Sequence, residues 1–223
     1  MNIFITGTNT NVGKTYITKN LFKLLKKRGY NICIFKPFQT EEIACGKYPD
    51  LEVFKKECFL DYEWTSLYKF KDPVSPHLAF KIERFQKFDR QKLLDRIKFL
   101  ESKFDFVLIE GAGGIAVPLY EYDNDFYMTK DLIKDISGCI ITILPSKLGS
   151  ISETVVNQNY LDNANLSSNL LIMNNYTGSY IEKDNKNTIE KITKKVVYTF
   201  KKNATYNDFE TDFIKKIIGE KNE

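Results

Sequence analysis

Apolar positions along this chain alternate between short continuous runs and stripes at helical spacing. Phe4 and Ile5 lie in a run that stops at Gly7, and after Lys14-Thr15 the residues Ile17, Leu21, Leu24 and Leu25 return at helical intervals until Gly29. Strand, loop and helix follow from that. Asn31 to Phe35 predicts a second strand, ended by Lys36-Pro37 because proline cannot continue a ladder. Between Pro37 and Phe88 the pattern breaks into loops and short helices. Leu51, Phe54, Phe59 and Leu60 share one side there, and a Pro73-Val74-Ser75-Pro76-His77 turn lies further on. Leu93, Leu94, Ile97 and Leu100 predict a helix over Arg90 to Lys103. Phe104 to Glu110 is almost continuously apolar, the mark of a strand buried on both faces, and Gly111-Ala112-Gly113-Gly114 makes a sharp loop after it. Met128 to Ile136 reads as helix, Cys139 to Leu144 as strand, Ser152 to Leu161 as helix, and Leu170 to Met173 as strand ending at Asn174-Asn175. Beyond Asn185 the rhythm is poorly defined, apart from a helix around Phe209 to Ile218.

Strands alternating with helices predict an α/β fold with a mainly parallel sheet covered on both faces. Ligands then bind at the carboxyl ends of the strands. Gly7, Lys36, Glu110, Pro145 and Asn174 all fall at that edge.

Composition narrows the class. A chain of 223 residues suffices for one domain over 1–223. The longest apolar runs fall short of the ~18–20 residues a membrane span needs, so no membrane partner is expected. Met1-Asn2-Ile3-Phe4-Ile5 lacks the basic segment of a secretory signal, which predicts a cytoplasmic protein. Cys33, Cys45, Cys58 and Cys139 include no close pair, and His77 is the one histidine, so the cysteines read as thiols. The formal net charge of +4 is too small to argue for nucleic acid. The basic stretch from Lys183 to Lys202 is interleaved with Glu190, Ile189, Ile192, Val196 and Val197, as a solvated face would be.

The strongest chemical signal is Gly7-Thr8-Asn9-Thr10-Asn11-Val12-Gly13-Lys14-Thr15. It leaves a predicted strand and opens a predicted helix. Its backbone amides converge on phosphate oxygens there, Lys14 reaches the outer phosphates and the Thr15 hydroxyl takes magnesium. Five residues separate the glycines where the standard pattern has four, and a glycine-rich turn with an incidental lysine is the plainer alternative. The motif makes the expected fold a three-layer, P-loop NTPase-like domain. Glu110 ends a buried strand and is placed to hold magnesium, or simply to cap a turn; Gly111, Gly113 and Gly114 let the chain approach phosphates closely. Asp50 precedes a helix and reads equally as an N-cap or a metal ligand. Lys36 is either a surface lysine or a cation for a substrate anion. His77 reads as a packed or turn-stabilising side chain. Trp64, Phe80, Phe85 and Phe88 read as core or as a cover over the site.

In order, GTNTNVGKT at 7–15, KPFQT at 36–40, Asp50, PVSPHLA at 73–79, EGAGGIAVP at 110–118, LGS at 148–150 and MNN at 173–175 make a set that resembles the dethiobiotin synthetases over about Met1 to Asn175. The resemblance implies ATP- and magnesium-dependent closure of 7,8-diaminononanoate with carbon dioxide, through a phosphorylated carbamate. It implies a nucleotide site of Asn9, Thr10, Asn11, Val12, Gly13, Lys14, Thr15, Glu110, Gly111, Gly113, Gly114 and Asn174, the last contacting the base. It also implies magnesium on Thr15, Asp50 and Glu110, Lys36 on the carbamate, and Thr40 near the substrate. Gly149 and Ser150 would receive the substrate carboxylate across a homodimer interface.

Three positions depart from the pattern. Asn11 stands where many members are acidic, Glu41 replaces the usual glycine, and Val197 to Ala204 lacks a glycine-proline segment beside the base. The rival class is a nucleotide-dependent partitioning or metal-insertion ATPase, which usually has a lysine where Asn9 stands. A non-catalytic nucleotide-binding module is the other alternative.

Overall fold

The computed structural model describes residues 1–166 and 169–220. The chain opens with β1 (Asn2–Gly7), all of it buried, then α1 (Lys14–Lys27) and β2 (Ile32–Phe35). Next come β3 (Phe38–Gln39), α2 (Pro49–Cys58), α3 (Tyr62–Thr65), β4 (Tyr68–Lys69) and α4 (Pro76–Ile82). Helix α5 (Arg90–Glu101) leads to β5 (Phe106–Glu110), the hairpin of β6 (Pro118–Glu121) and β7 (Phe126–Met128), then α6 (Thr129–Ile136) and β8 (Cys139–Pro145). The last elements are α7 (Ser150–Asn163), β9 (Asn169–Tyr176), α8 (Tyr180–Thr193), β10 (Val197–Lys201) and α9 (Thr211–Ile218).

The main sheet has the order β10-β9-β8-β1-β5-β2, and every pairing in it is parallel. Alternation along β1 sends Ile3 and Ile5 to one face and Phe4 to the other. The first face packs under Ile17, Leu21 and Leu25 of α1, Leu51 and Phe54 of α2, and Phe213 and Ile217 of α9. The second carries Leu93 and Ile97 of α5 and Leu132 and Ile133 of α6. Each fully buried side chain of this size contributes roughly 1.5–3 kcal/mol over an exposed one. Two such layers hold the strand ends as a stiff edge, and the expected three-layer α/β architecture is the one observed. Among the described residues no helix is long and apolar enough to cross a membrane.

Several expectations need correction. Phe59 does not join Leu51 and Phe54: it ends α2 in the left-handed region and is 86% exposed, while Cys58 is buried in that row instead. Trp64 lies at the surface, stacked on Phe99 with the Arg96 guanidinium over its ring, and Phe85 is exposed; neither covers the site. Phe80 and Phe88 do pack, in an aromatic cluster with Tyr68 and Tyr120. The two-residue strands β3 and β4, the hairpin β6–β7, helix α8 and strand β10 were not anticipated as separate elements. His77 stabilises its turn, with Nδ1 2.9 Å from Ser75 Oγ.

Candidate functional site

Strand β1 ends where the Thr8 amide donates to the Ile143 carbonyl at 3.0 Å, and the chain then loops over residues 8–13 into α1. The loop's tightness depends on two glycines. A Cβ on Gly7 would sit 2.4 Å from Val12 Cγ2, and one on Gly13, whose φ is +95°, would sit 2.0 Å from Asn174 Nδ2. Helix α1 has no side-chain cap and no acidic residue in its first turn, so its amino-terminal amides and dipole are offered to an anion. Asn9 braces the loop: its Oδ1 accepts from the Thr10 amide at 2.8 Å, and its carbonyl accepts from Lys14 Nζ at 3.1 Å. Burial, reinforced by the charge of Lys36, pushes the Lys14 pKa down to about 8. Gly13→Ala should therefore lower stability by at least ~1–2 kcal/mol, the ordinary cost of left-handed backbone with a Cβ, and weaken triphosphate binding. An unchanged denaturation midpoint and unchanged binding would remove this constraint from the account.

The second half of the site is a buried charge cluster. Parallel pairing of β1 with β5 sets Ile5 opposite Glu110, and β2 pairs on the other side of β5, so Lys36 leaves the sheet beside Glu110. Lys36 Nζ lies 2.7 Å from Glu110 Oε1 and 2.6 Å from Asp50 Oδ2. Burial opposes the Lys36 charge, but Glu110 and Asp50 outweigh it and hold the ammonium above the usual lysine range. Burial likewise works against the charge of Asp50, and Lys36 with Thr15 more than reverses it, leaving the carboxyl below the ordinary range. Asp50 is not in the loop before the helix and does not cap it: Tyr48 is the N-cap, Pro49 opens the first turn, and Asp50 points inward from that turn. Lys36 is no surface lysine, being 5% exposed.

Thr15 Oγ1 lies 2.7 Å from Asp50 Oδ1 and 3.0 Å from Glu110 Oε1. One hydroxyl proton cannot serve both carboxylates; the Lys36 ammonium bridges them too, and the atoms beside it that could ligate a cation are all oxygen. That set suits magnesium, which accepts one or two carboxylates and takes its other ligands from water and phosphate. Thr18 Oγ1, 2.7 Å from Glu110 Oε2, is a further member that the sequence reading missed. Its position three residues after Thr15, on one helical face, was the available signal.

Lys14, Thr15, Lys36, Thr40 and Asp50 border a cleft of about 430 Å³, with Thr10, Asn11, Gly13 and Gly113 on its rim. Gly111 and Gly114 do not border it. Gly111 packs against the Phe4 ring and Gly114 against the Gly7 and Thr8 carbonyls, so they fit one loop to the other. Val12 is buried and acts through its carbonyl, which accepts from Asn174 Nδ2 at 2.9 Å. Asn174 Oδ1 is buried without a partner among the described residues. Tyr16, also missed, ties α1 to the chain after β10 by donating to the Ala204 carbonyl at 2.6 Å. Gly149 and Ser150 are not brought to the cleft. They open α7, with Gly149 at φ +94° and the Ser150 side chain fully buried. That helix meets the phosphate loop one turn on, where Thr8 Oγ1 donates to Glu153 Oε2 at 3.0 Å.

Residues 1–199 match the family model described as an AAA domain. The ATP-dependent dethiobiotin synthetase BioD of Staphylococcus epidermidis is 61% identical over 222 residues, covering all of both chains. The ATP-dependent dethiobiotin synthetase BioD of Clostridium kluyveri is 34% identical, covering 96% of this chain and 90% of that protein. In fold, the chain resembles the cell division ATPase MinD of Pyrococcus furiosus, with a TM-score of 0.54 at 20% identity over 91% of this chain and 84% of that one. A putative plasmid partition protein of Borrelia burgdorferi, bound to AMPPNP, gives 0.55 at 14% identity over 98% and 96%.

Proposed function

The chain belongs to the dethiobiotin synthetase family and is an ATP-dependent ligase of biotin synthesis; on that basis we propose that it closes the ureido ring of dethiobiotin from 7,8-diaminononanoate, carbon dioxide and ATP. The observation that carries the proposal is the position of Lys36, a buried cation set between Asp50 and Glu110 in the same cleft as Lys14 and Thr15. Phosphoryl transfer to a carboxylate-like group needs two anionic reactants brought together. Lys14 and the amides of the 8–13 loop hold the triphosphate, and Lys36 receives the carbamate formed from carbon dioxide and the 7-amino group.

In this reaction the carbamate oxygen bonds to the γ-phosphorus as the bond to the ADP oxygen breaks, giving a carbamic-phosphoric anhydride. The 8-amine then attacks the activated carbon and phosphate leaves with the electron pair of the broken C–O bond. The chain's part is to align the groups and offset charge. Thr15, Asp50 and Glu110 would hold magnesium, which supplies charge neutralisation on the phosphate oxygens when bound. Asn174, near the carboxyl end of β9 with its side-chain oxygen unpartnered among the described residues, is suited to a nucleotide base, and Thr40 to the substrate side of the cleft. In a homodimer the exposed turn at Gly149 and the uncapped amino-terminal amides of α7, which begins at Ser150, would receive a second copy's substrate carboxylate; the Ser150 side chain is buried and would take no direct part.

The partitioning-ATPase reading has no specific observation in its favour. The fold is common to both classes, and Asn9 occupies the loop position where those proteins usually carry a lysine. Incubating the purified chain with ATP, magnesium, bicarbonate and the diamine, and omitting each in turn, tests the choice. Dethiobiotin should form only in the complete mixture; ATP hydrolysis indifferent to the diamine, without dethiobiotin, would overturn the proposal.

Lys14 adds a pH dependence. Above about 8 its amine is largely neutral in the free protein, whereas bound phosphate oxygens favour the ammonium. ATP binding should therefore take up protons, and affinity should fall by up to about tenfold per pH unit above that point. Lys36 keeps its proton throughout, and Asp50 stays ionised. Calorimetry in buffers of different ionisation enthalpy reads the proton uptake directly. A flat affinity across this range, matching a Lys14→Met variant, would contradict the assignment.

A further inference from the structure

Outside the inner cleft, Thr10, Asn11, Thr40, Glu41, Ala112 and Gly113 continue into a second cavity of about 380 Å³. Its outer wall comes from the Pro73-to-Pro76 turn and Val117, and Glu41 is the one ionisable side chain among the described residues that line it. Glu41 is at φ +72°, held by backbone bonds from its own amide to Asp72 (3.1 Å) and from the Glu42 amide to Lys71 (2.8 Å). Glycine adopts that conformation freely, whereas a residue with a Cβ strains there. The Glu41 carboxylate is exposed and has neither ion pair nor hydrogen bond among the described residues. It therefore contributes nothing visible to the fold.

Its charge also opposes the inner cleft's business. A carboxylate beside a pocket built around Lys14 and Lys36 repels a triphosphate. Lys14 and Lys36 are turned to the inner cleft and make no ion pair with Glu41 among the described residues, so this acid at the mouth is suited to a cation arriving through the outer cavity. Resting on the function proposed above, we infer that Glu41 is a specificity-determining residue that draws in the ammonium-bearing diamine at the outer cavity. The cleft is then divided by charge, with cations inside for the phosphates and carbamate and an acid at the entry, where the diamine passes as an ammonium before its amine loses a proton and takes up carbon dioxide. Asn11, on the rim of both cavities, is uncharged and leaves this task to Glu41.

The test is steady-state dethiobiotin formation by the full chain and by Glu41→Gln and Glu41→Gly, varying the diamine and ATP separately at low and high salt. In both variants the KM for the diamine should rise roughly 3–5-fold, the effect of one solvent-accessible ion pair of about 0.6–1 kcal/mol. The values of kcat and of KM for ATP should stay within about twofold, and the rise should shrink at high salt. The melting temperature of Glu41→Gly should not fall, because glycine relieves the backbone, which separates charge from any structural role. A diamine KM that does not move in Glu41→Gln, or one that moves in step with the KM for ATP, would overturn the inference while leaving the reaction itself intact. Wild-type protein that forms no dethiobiotin would instead remove the function on which it rests.

Discussion

Replacing Lys36 with alanine should cut single-turnover dethiobiotin formation by ~10²-fold or more while triphosphate binding remains measurable. On the proposed reading Lys14 and the loop amides serve the phosphates, whereas Lys36 is the one cation between Asp50 and Glu110 among the described residues. Without Lys36 the carbamate would approach the γ-phosphorus against unrelieved repulsion. Stability should respond as well. Deleting one partner of a buried ion pair costs about 3–5 kcal/mol, because the charge left behind has lost its counter-ion. Part of that cost should return as magnesium is added, since the two carboxylates then share a different cation. Lys36→Arg keeps the charge but brings a planar group too large for a site enclosed by two carboxylates at 2.6 and 2.7 Å. It should restore melting more than turnover. Wild-type product formation in Lys36→Ala would sink the carbamate role; loss of ATP binding in proportion to lost activity would move Lys36 to nucleotide anchoring.

Glu110→Gln should have an effect of similar size for a different reason. Glu110 is fully buried, and its two oxygens meet Thr15, Thr18 and Lys36. An amide of equal size keeps one acceptor and turns the other into a donor, which then faces either the Lys36 ammonium or a threonine hydroxyl. The loss of a charged acceptor at a buried site costs roughly 2–4 kcal/mol in stability. The magnesium requirement should shift to higher concentration, with activity down ~10²-fold at the wild-type optimum. Asp50, whose side chain is 27% exposed, should tolerate Asp50→Asn better in stability than in turnover. Equal activity of Glu110→Gln across a magnesium titration would take Glu110 out of the metal site.

These variants also mark where the sequence was legible. The β1–loop–α1 unit and β5 could be read because parallel strands buried on both faces are continuous apolar runs and because glycine punctuates the phosphate loop. Lys36 and Glu110 could each be placed at a strand end. Their contact could not, since it depends on β2 and β5 being neighbours, and strand order is not written in periodicity. Asp50 illustrates the same gap: its type and rough position were visible, but its inward aim follows from Pro49 opening α2 after Tyr48. The pair β3–β4 joins Phe38 to Tyr68 across a long separation through strands too short to show any alternation. Strand β10 was hidden because its first residues follow a lysine-rich helix end, where solvated and strand patterns overlap. Phe59 misled through its size. A large apolar residue ending a helix in a left-handed turn leaves the face that its spacing suggests.

The central claim is that this chain activates a carbamate by phosphorylating it, and the destination of the carbon dioxide oxygen tests it most directly. With heavy-oxygen-labelled bicarbonate in a single turnover, fast relative to exchange with water, the carbamate oxygen that attacks the γ-phosphorus stays with phosphorus when the 8-amine closes the ring. The account predicts one labelled oxygen in the released phosphate for each dethiobiotin formed. Phosphate that carries no label, released with or without the diamine, would mean that water attacks the nucleotide and would contradict the account.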